Sequence, residues 1–330
     1  MFGFKLIKPT ITKPNKMMNL IIKGNQKLLG LFFSGMVFIS SSCSEDDQVP
    51  MESDDKNIVE LAQSDNRFST LVDAGQRAEL IDALSADGAI TVFAPTDQAF
   101  IDAGITDVDG VAVDDLKNVL MYHVVATEIP SSAVSSGKVT SFEGAPFYIS
   151  IDPDGKVWIN GHAEVTETDL EASNGIIHVI NQVIMKPTMS IAEIATGYTQ
   201  EASPEFTQLV GALTRANLVD AVNGGIADDL TVFAPTDAAF QQLYDDLNVD
   251  GFEEIPLETL ENVLMYHVVP ARAFSQDLRD GAELPTLLSN NTLTVDLGEL
   301  NIEEAGLNTD LINIHATNGV IHVIDKVMLP

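Results

Sequence analysis

TVFAPTDQAF, residues 91–100, returns as TVFAPTDAAF at residues 231–240, with nine of ten letters shared. Thr91, Val92 and Phe93 are β-branched or aromatic and predict a strand, which Pro95 ends because it has no N–H to give to a ladder. Thr96 or Asp97 then offers a side-chain oxygen to the exposed amides of a helix start, and Phe100 falls on that helix's inner face. Nearly every letter thus has a structural task, and its return predicts two copies of one fold.

The rest of the chain repeats around this stretch. FSTLVDAGQRAELIDAL from Phe68 parallels FTQLVGALTRANLVDAV from Phe206, with apolar residues at three- and four-residue steps that mark a helix with one buried face. NVLMYHVV at 118–125 recurs unchanged at 262–269; Asp114 starts its helix, Leu116, Val119 and Leu120 form the apolar stripe, and HVV follows as a strand. NGIIHVINQVIMK at 174–186 pairs with NGVIHVIDKVMLP at 318–330. Its IIHVI run predicts a strand covered on both faces, and Asn174-Gly175 predicts a tight turn. The opening stretch is displaced by 140 residues and the two later blocks by 144, so the copies differ by a few loop residues and meet near Pro187 to Ser190.

Those three blocks, in this order and spacing, resemble the fasciclin (FAS1) domain in tandem. The resemblance implies an α+β fold, two tandem domains each made of a two-sheet β wedge with helices packed along one side. It also implies adhesion to cells, matrix or other surfaces, with no catalytic activity common to the family. The expected organisation is a signal peptide over 1–42 with Met17 as the start, an acidic flexible tether over 43–54, one domain over 55–187 and a second over 190–330.

Charge narrows the partners. The 330 residues carry 49 acidic and 17 basic side chains, a net charge of −32. Six of the basic residues and none of the acidic ones precede Cys43, so the chain beyond it is more acidic still. Nucleic acid is excluded as a partner, since phosphate binding needs clustered lysine and arginine. From Met17 the order is basic (Lys23, Lys27), apolar (residues 28–39) and small up to Cys43, the only cysteine. That order is a secretory signal, too short in its apolar part to span a bilayer, which takes about 20 residues. Ending on a sole cysteine, it resembles a bacterial lipoprotein signal and makes Cys43 the expected lipidation site. The SEDDQ that follows resembles the acidic export tag of surface lipoproteins of the Bacteroidetes type.

Histidine is the natural place to look for chemistry. Aligning the repeats pairs His123 with His267 and His178 with His322, whereas His162 falls opposite Gly306 and His315 opposite Glu171. The paired histidines have apolar neighbours and no carboxylate at ligand spacing, so they read as buried groups bonded to backbone. Asp97 and Asp237 read as helix caps rather than catalytic carboxylates, because no partner base accompanies them. DLNVDG at 246–251 is half a calcium loop with Leu257 where the closing Glu belongs. No catalytic residue, metal ligand or cofactor is assigned. In the family the Tyr-His region is linked to receptor binding; carried to matching positions, that points to Tyr122, His123, Tyr266 and His267 with flanking Leu120, Val124, Leu264 and Val268. The expectation is a lipid-anchored outer-membrane protein, facing outward, that adheres to a cell-surface or matrix protein or polysaccharide and touches the membrane through its anchor alone. A binding module for a polysaccharide or small apolar ligand is the alternative, and a metal-dependent enzyme stands behind both.

Overall fold

A computed structural model describes residues 56–223 and 229–330; the expected signal peptide, Cys43 and the acidic tether lie outside the described residues. Lys56–Pro330 forms one compact unit that contains both copies. In each copy, helices cover one face of a sheet and a second sheet packs behind it, an α+β arrangement.

The repeated motif builds the centre of each copy. Strand Ile90–Pro95 lies parallel to Gly175–Ile180 and antiparallel to Val124–Val125, and Leu230–Pro235 repeats this with Gly319–Ile324 and Val268–Val269. All six residues of Gly175–Ile180 and of Gly319–Ile324 are buried, as a strand sandwiched between helices and a second sheet must be. The preceding asparagine does more than turn the chain. Asn174 accepts from Ile58 N (2.9 Å) and donates to Leu84 O (2.8 Å) and Ala86 O (2.9 Å), tying the first helix to the sheet. Asn318 repeats this with Ile191 N (2.9 Å) and Val222 O (3.0 Å). Gly175 is obligatory there, because at φ +149° a Cβ would stand 2.0 Å from Ile90 O.

Helix capping differs from the expectation in one respect. Thr96 and Thr236 are the N-caps of Asp97–Asp102 and Asp237–Leu247, accepting from Ala99 N (3.3 Å) and Ala239 N (3.1 Å). Asp97 and Asp237 serve a neighbouring helix instead. Asp97 accepts from Thr70 N (2.7 Å), and Asp237 accepts from Gln208 N (2.9 Å) and Thr207 Oγ1 (2.6 Å). The physical reason is that helices Ser69–Arg77 and Thr207–Arg215 begin after Phe68 and Phe206, which have no side-chain acceptor for their own first turn.

The two copies differ in their second sheets. In the first, the ten-residue strand Ala163–Ala172 crosses from one sheet to the other, bending at register shifts beside Glu167, so seven strands join in one ladder. In the second, its counterpart is broken into Ala305–Gly306 and Ile314–Ala316, and two four-stranded sheets result. No described helix is long and apolar enough to cross a membrane.

Candidate functional site

The Tyr-His pairs lie where helix passes into strand. Helix Val113–Tyr122 stops with His123 as its C-cap, and Leu257–Tyr266 stops in the same way at His267. His123 Nδ1 sits 2.7 Å from Val119 O, and its Nε2 receives Ile184 N–H at 3.0 Å. Since a carbonyl only accepts and an amide N–H only donates, the ring is neutral with its proton on Nδ1. His267 repeats the arrangement with Val263 O (2.7 Å) and Met328 N (3.0 Å). Burial pushes both imidazoles down to about 4. The Tyr122 hydroxyl donates to Pro146 O (2.8 Å) and Tyr266 to Thr292 O (3.1 Å), and burial raises Tyr122 to about 12.

None of these side chains faces outward. Tyr122, His123, Leu120 and Val124 are 1–5% exposed, and Tyr266, His267, Leu264 and Val268 are 3–7% exposed. They clamp two outer segments of chain. Phe142 N donates to Val124 O (2.7 Å) and Leu287 N to Val268 O (2.8 Å), while residues 184 and 328 hang from the histidines. Each of these segments shows an apolar side chain to solvent: Phe142 and Met185 are 54% and 45% exposed in the first copy, beside the Lys186–Glu143 ion pair, and Leu329 is 56% exposed in the second. A partner arriving at a Tyr-His junction therefore meets these residues, and the eight buried ones position them.

The other paired histidines are neutral in the opposite tautomer. His178 Nε2–H donates to Ile129 O (2.8 Å) and Nδ1 receives Asp169 N (3.3 Å); His322 does the same with Ala273 O (2.9 Å) and Asn313 N (3.3 Å). Each ring rests on the motif's Phe93 or Phe233. Among the described residues no three His, Cys, Asp or Glu side chains gather to hold a metal ion. Asp246 and Leu247 of the partial calcium loop end a helix, with Asn248 at φ +53° as its C-cap.

The unpaired histidines mark a third site that sequence comparison passed over, the junction of the two copies. His162 of the first copy bonds Asn313 O of the second (2.8 Å), and His315 sets its ring edge-on to Tyr148 and Phe274. Arg272 is the centre of this contact. Its guanidinium lies 4.3 Å over the Tyr148 ring, bonds Asp229 (2.9 Å), and donates to Ala316 O (3.0 Å) and Gly319 O (2.7 Å), with 3% of its side chain exposed. Around it, Tyr148 donates to Asp229 (3.0 Å), Ser150 to Asp277 (3.0 Å), Arg279 to Ile151 O (2.7 Å) and Asn313 to Gly161 O (2.8 Å). Gly161, at φ +71°, lies so close that a Cβ would fall 2.5 Å from the Phe274 ring. Burial, with Arg272 alongside, pushes His315 down to about 3. A groove of about 230 Å³ opens beside the junction, lined by Tyr148, Ser150, Arg272 and Asp277 among others. An apolar cavity inside the second copy measures about 20 Å³. The signal for the junction was present as an asymmetry: a head-to-tail contact uses different residues on its two sides.

Both halves of the described chain match one domain family. Residues 66–186 and 204–330 each match the Fasciclin domain. The chain belongs to the fasciclin family. Protein sll1483 of Synechocystis sp. is similar to it, with 45% identity over 134 residues, covering 39% of this chain and 73% of that protein. Periostin of Homo sapiens is 25% identical over 261 residues, covering 77% of this chain and 30% of periostin. A solved FAS1 domain pair from the insect cell adhesion molecule Fasciclin I aligns over 80% of this chain and 97% of its own length at TM-score 0.36 and 16% identity. Fasciclin domains occur in adhesion and matrix-interacting proteins.

Proposed function

We propose that this fasciclin protein is a cell-surface-anchored adhesion lipoprotein, exported to the outer membrane, held there by a lipidated Cys43 and facing outward. It binds a matrix or cell-surface protein or a polysaccharide. The observation that carries the reading is the junction: Arg272 and its neighbours join both copies in one arrangement, which holds the outer segments over the two Tyr-His clamps at one spacing. Two weak contacts held at fixed spacing gain from effective concentration without any new interaction. The apolar cavity inside the second copy, at about 20 Å³, is far below the ~300 Å³ of an ordinary ligand pocket and does not support the apolar-ligand alternative.

The test uses the full chain in its own cells. Cys43→Ser is expected to abolish acylation and remove the protein from the fraction released by protease shaving of intact cells. Phe142→Ser with Leu329→Ser is expected to lower attachment to immobilised matrix protein and polysaccharide while shaving stays normal. Attachment unchanged in both variants sinks the adhesion reading. Surface loss without acylation of the parent protein sinks the anchor.

A further inference from the structure

The junction shows which face of a copy accepts a second domain, and the same face of the second copy stands open. The correspondence is fixed by bonds. Tyr122 reaches Pro146 O where Tyr266 reaches Thr292 O, so Tyr148 matches Thr294 and Ser150 matches Asp296. Asn160 Oδ1 accepts from Tyr148 N (2.9 Å) as Glu303 Oε1 accepts from Thr294 N (2.6 Å). The cross-strand partner of Tyr148 is Lys138, and that of Thr294 is Glu283. In the first copy Tyr148 and Ser150 of this face are buried while Lys138 is exposed: Arg272 lies over Tyr148, Asp277 accepts from Ser150 and Arg279 donates to the next carbonyl. In the second, Glu283, Thr294 and Asp296 are exposed.

We propose that this open face is an interaction surface for an arginine-bearing loop of a partner protein. Inside the chain, the face takes a loop carrying Arg272 and Arg279, and holds one guanidinium by the Tyr148 ring. The open face has lost that ring and carries exposed carboxylates beside it, Glu283 and Asp296, which suit a guanidinium by charge and paired hydrogen bonds. A second molecule of this chain does not fit. The Thr91 and Thr231 hydroxyls bond Thr127 O and Ala271 O, so the first copy's free loop places Glu128 where Arg272 stands. Asp169 and Glu171 replace Asn313 and His315 around it, and like charges would face one another. The inference depends on neither the lipid anchor nor the Tyr-His surfaces.

The test titrates the full chain, at low salt, with a synthetic peptide of residues 271–279 (ARAFSQDLR) and with the same peptide carrying glutamine at both arginines. Tyr148 and Ser150 of the first copy are already covered, and the substitutions on the second copy report whether the peptide reads the open face. Binding is expected for the arginine peptide alone. Glu283→Lys with Asp296→Lys should weaken it about fivefold, as for two exposed ion pairs at a few tenths to one kcal/mol each. Asp73→Lys with Asp87→Lys, an equal change of charge on a remote surface, should leave it unchanged, with circular dichroism confirming that both variants fold. No binding, equal binding of the two peptides, or equal weakening by the two charge changes overturns the proposal; the last would show attraction to overall charge only.

Discussion

Mild acid should unfold this protein, and its histidines set the window. His123, His267 and His322 are buried and neutral with folded values near 4, against 6.5 for a free imidazole. The sign follows from which state binds more protons. Below 6.5 the unfolded chain protonates these rings while the folded chain does not, so stability is fully present above 6.5 and is lost as pH falls toward 4. Protonation of His123 or His267 would also set a second N–H against the amide of Ile184 or Met328, leaving that amide without an acceptor. At 1.36 kcal/mol per pK unit, each ring costs about 2 kcal/mol at pH 5, and three cost about 6, a large share of a typical stability of ~5–15 kcal/mol. Relief of repulsion among the 49 acidic side chains opposes this, but ordinary carboxylates titrate near 4, below most of the window. Urea unfolding followed by circular dichroism at pH 7.5, 6.5, 5.5 and 5.0 checks the slope. His123→Gln, whose amide can still donate and accept, should flatten part of it. Stability that stays level or rises between pH 6.5 and 5 would refute the reasoning.

Two further outcomes follow from named contacts. Asp97→Ala should cost about 1 kcal/mol by uncapping the neighbouring helix, and Asp237→Ala more because it also accepts from Thr207, both read by denaturant midpoint. Arg272→Met should remove roughly 1–2 kcal/mol of coupling between the copies, the worth of its buried contact with the Tyr148 ring, and calorimetry should then show two transitions where the parent shows one.

Much of the fold was legible because it is local. TVFAPTD carries its strand, stop and cap within seven letters, and the stripe of Leu116, Val119 and Leu120 needs only helix periodicity. The paired histidines were readable as structural groups from their apolar neighbours. What escaped depends on contacts distant in sequence. Nothing in PTD says that Asp97 serves Thr70, 27 residues earlier, rather than its own helix. The histidines of the Tyr-His junctions were readable as buried, but the segments that cover them were not, because those come from residues 142 and 184. The junction was hidden for the opposite reason: Arg272, Tyr148 and Asn313 have no counterparts of their own kind in the other copy, and a search for repeats passes over them.

Asn174-Gly175 and Asn318-Gly319 bear on how long the molecule lasts. Asparagine followed by glycine is the pair in which an exposed side chain most readily closes on the next amide nitrogen, releases ammonia and leaves aspartate or its isomer. Here both carboxamides are buried with oxygen and nitrogen bonded, and each glycine is held in a central strand. The ring closure would have to break those bonds first. Were it to happen, the aspartate would set a negative oxygen against carbonyls such as Leu84 O or Val222 O. The fold thus protects two of the chain's four Asn-Gly dipeptides by using them, and slow chemical ageing at either of these two would begin with loss of the sheet's hold on its first helix.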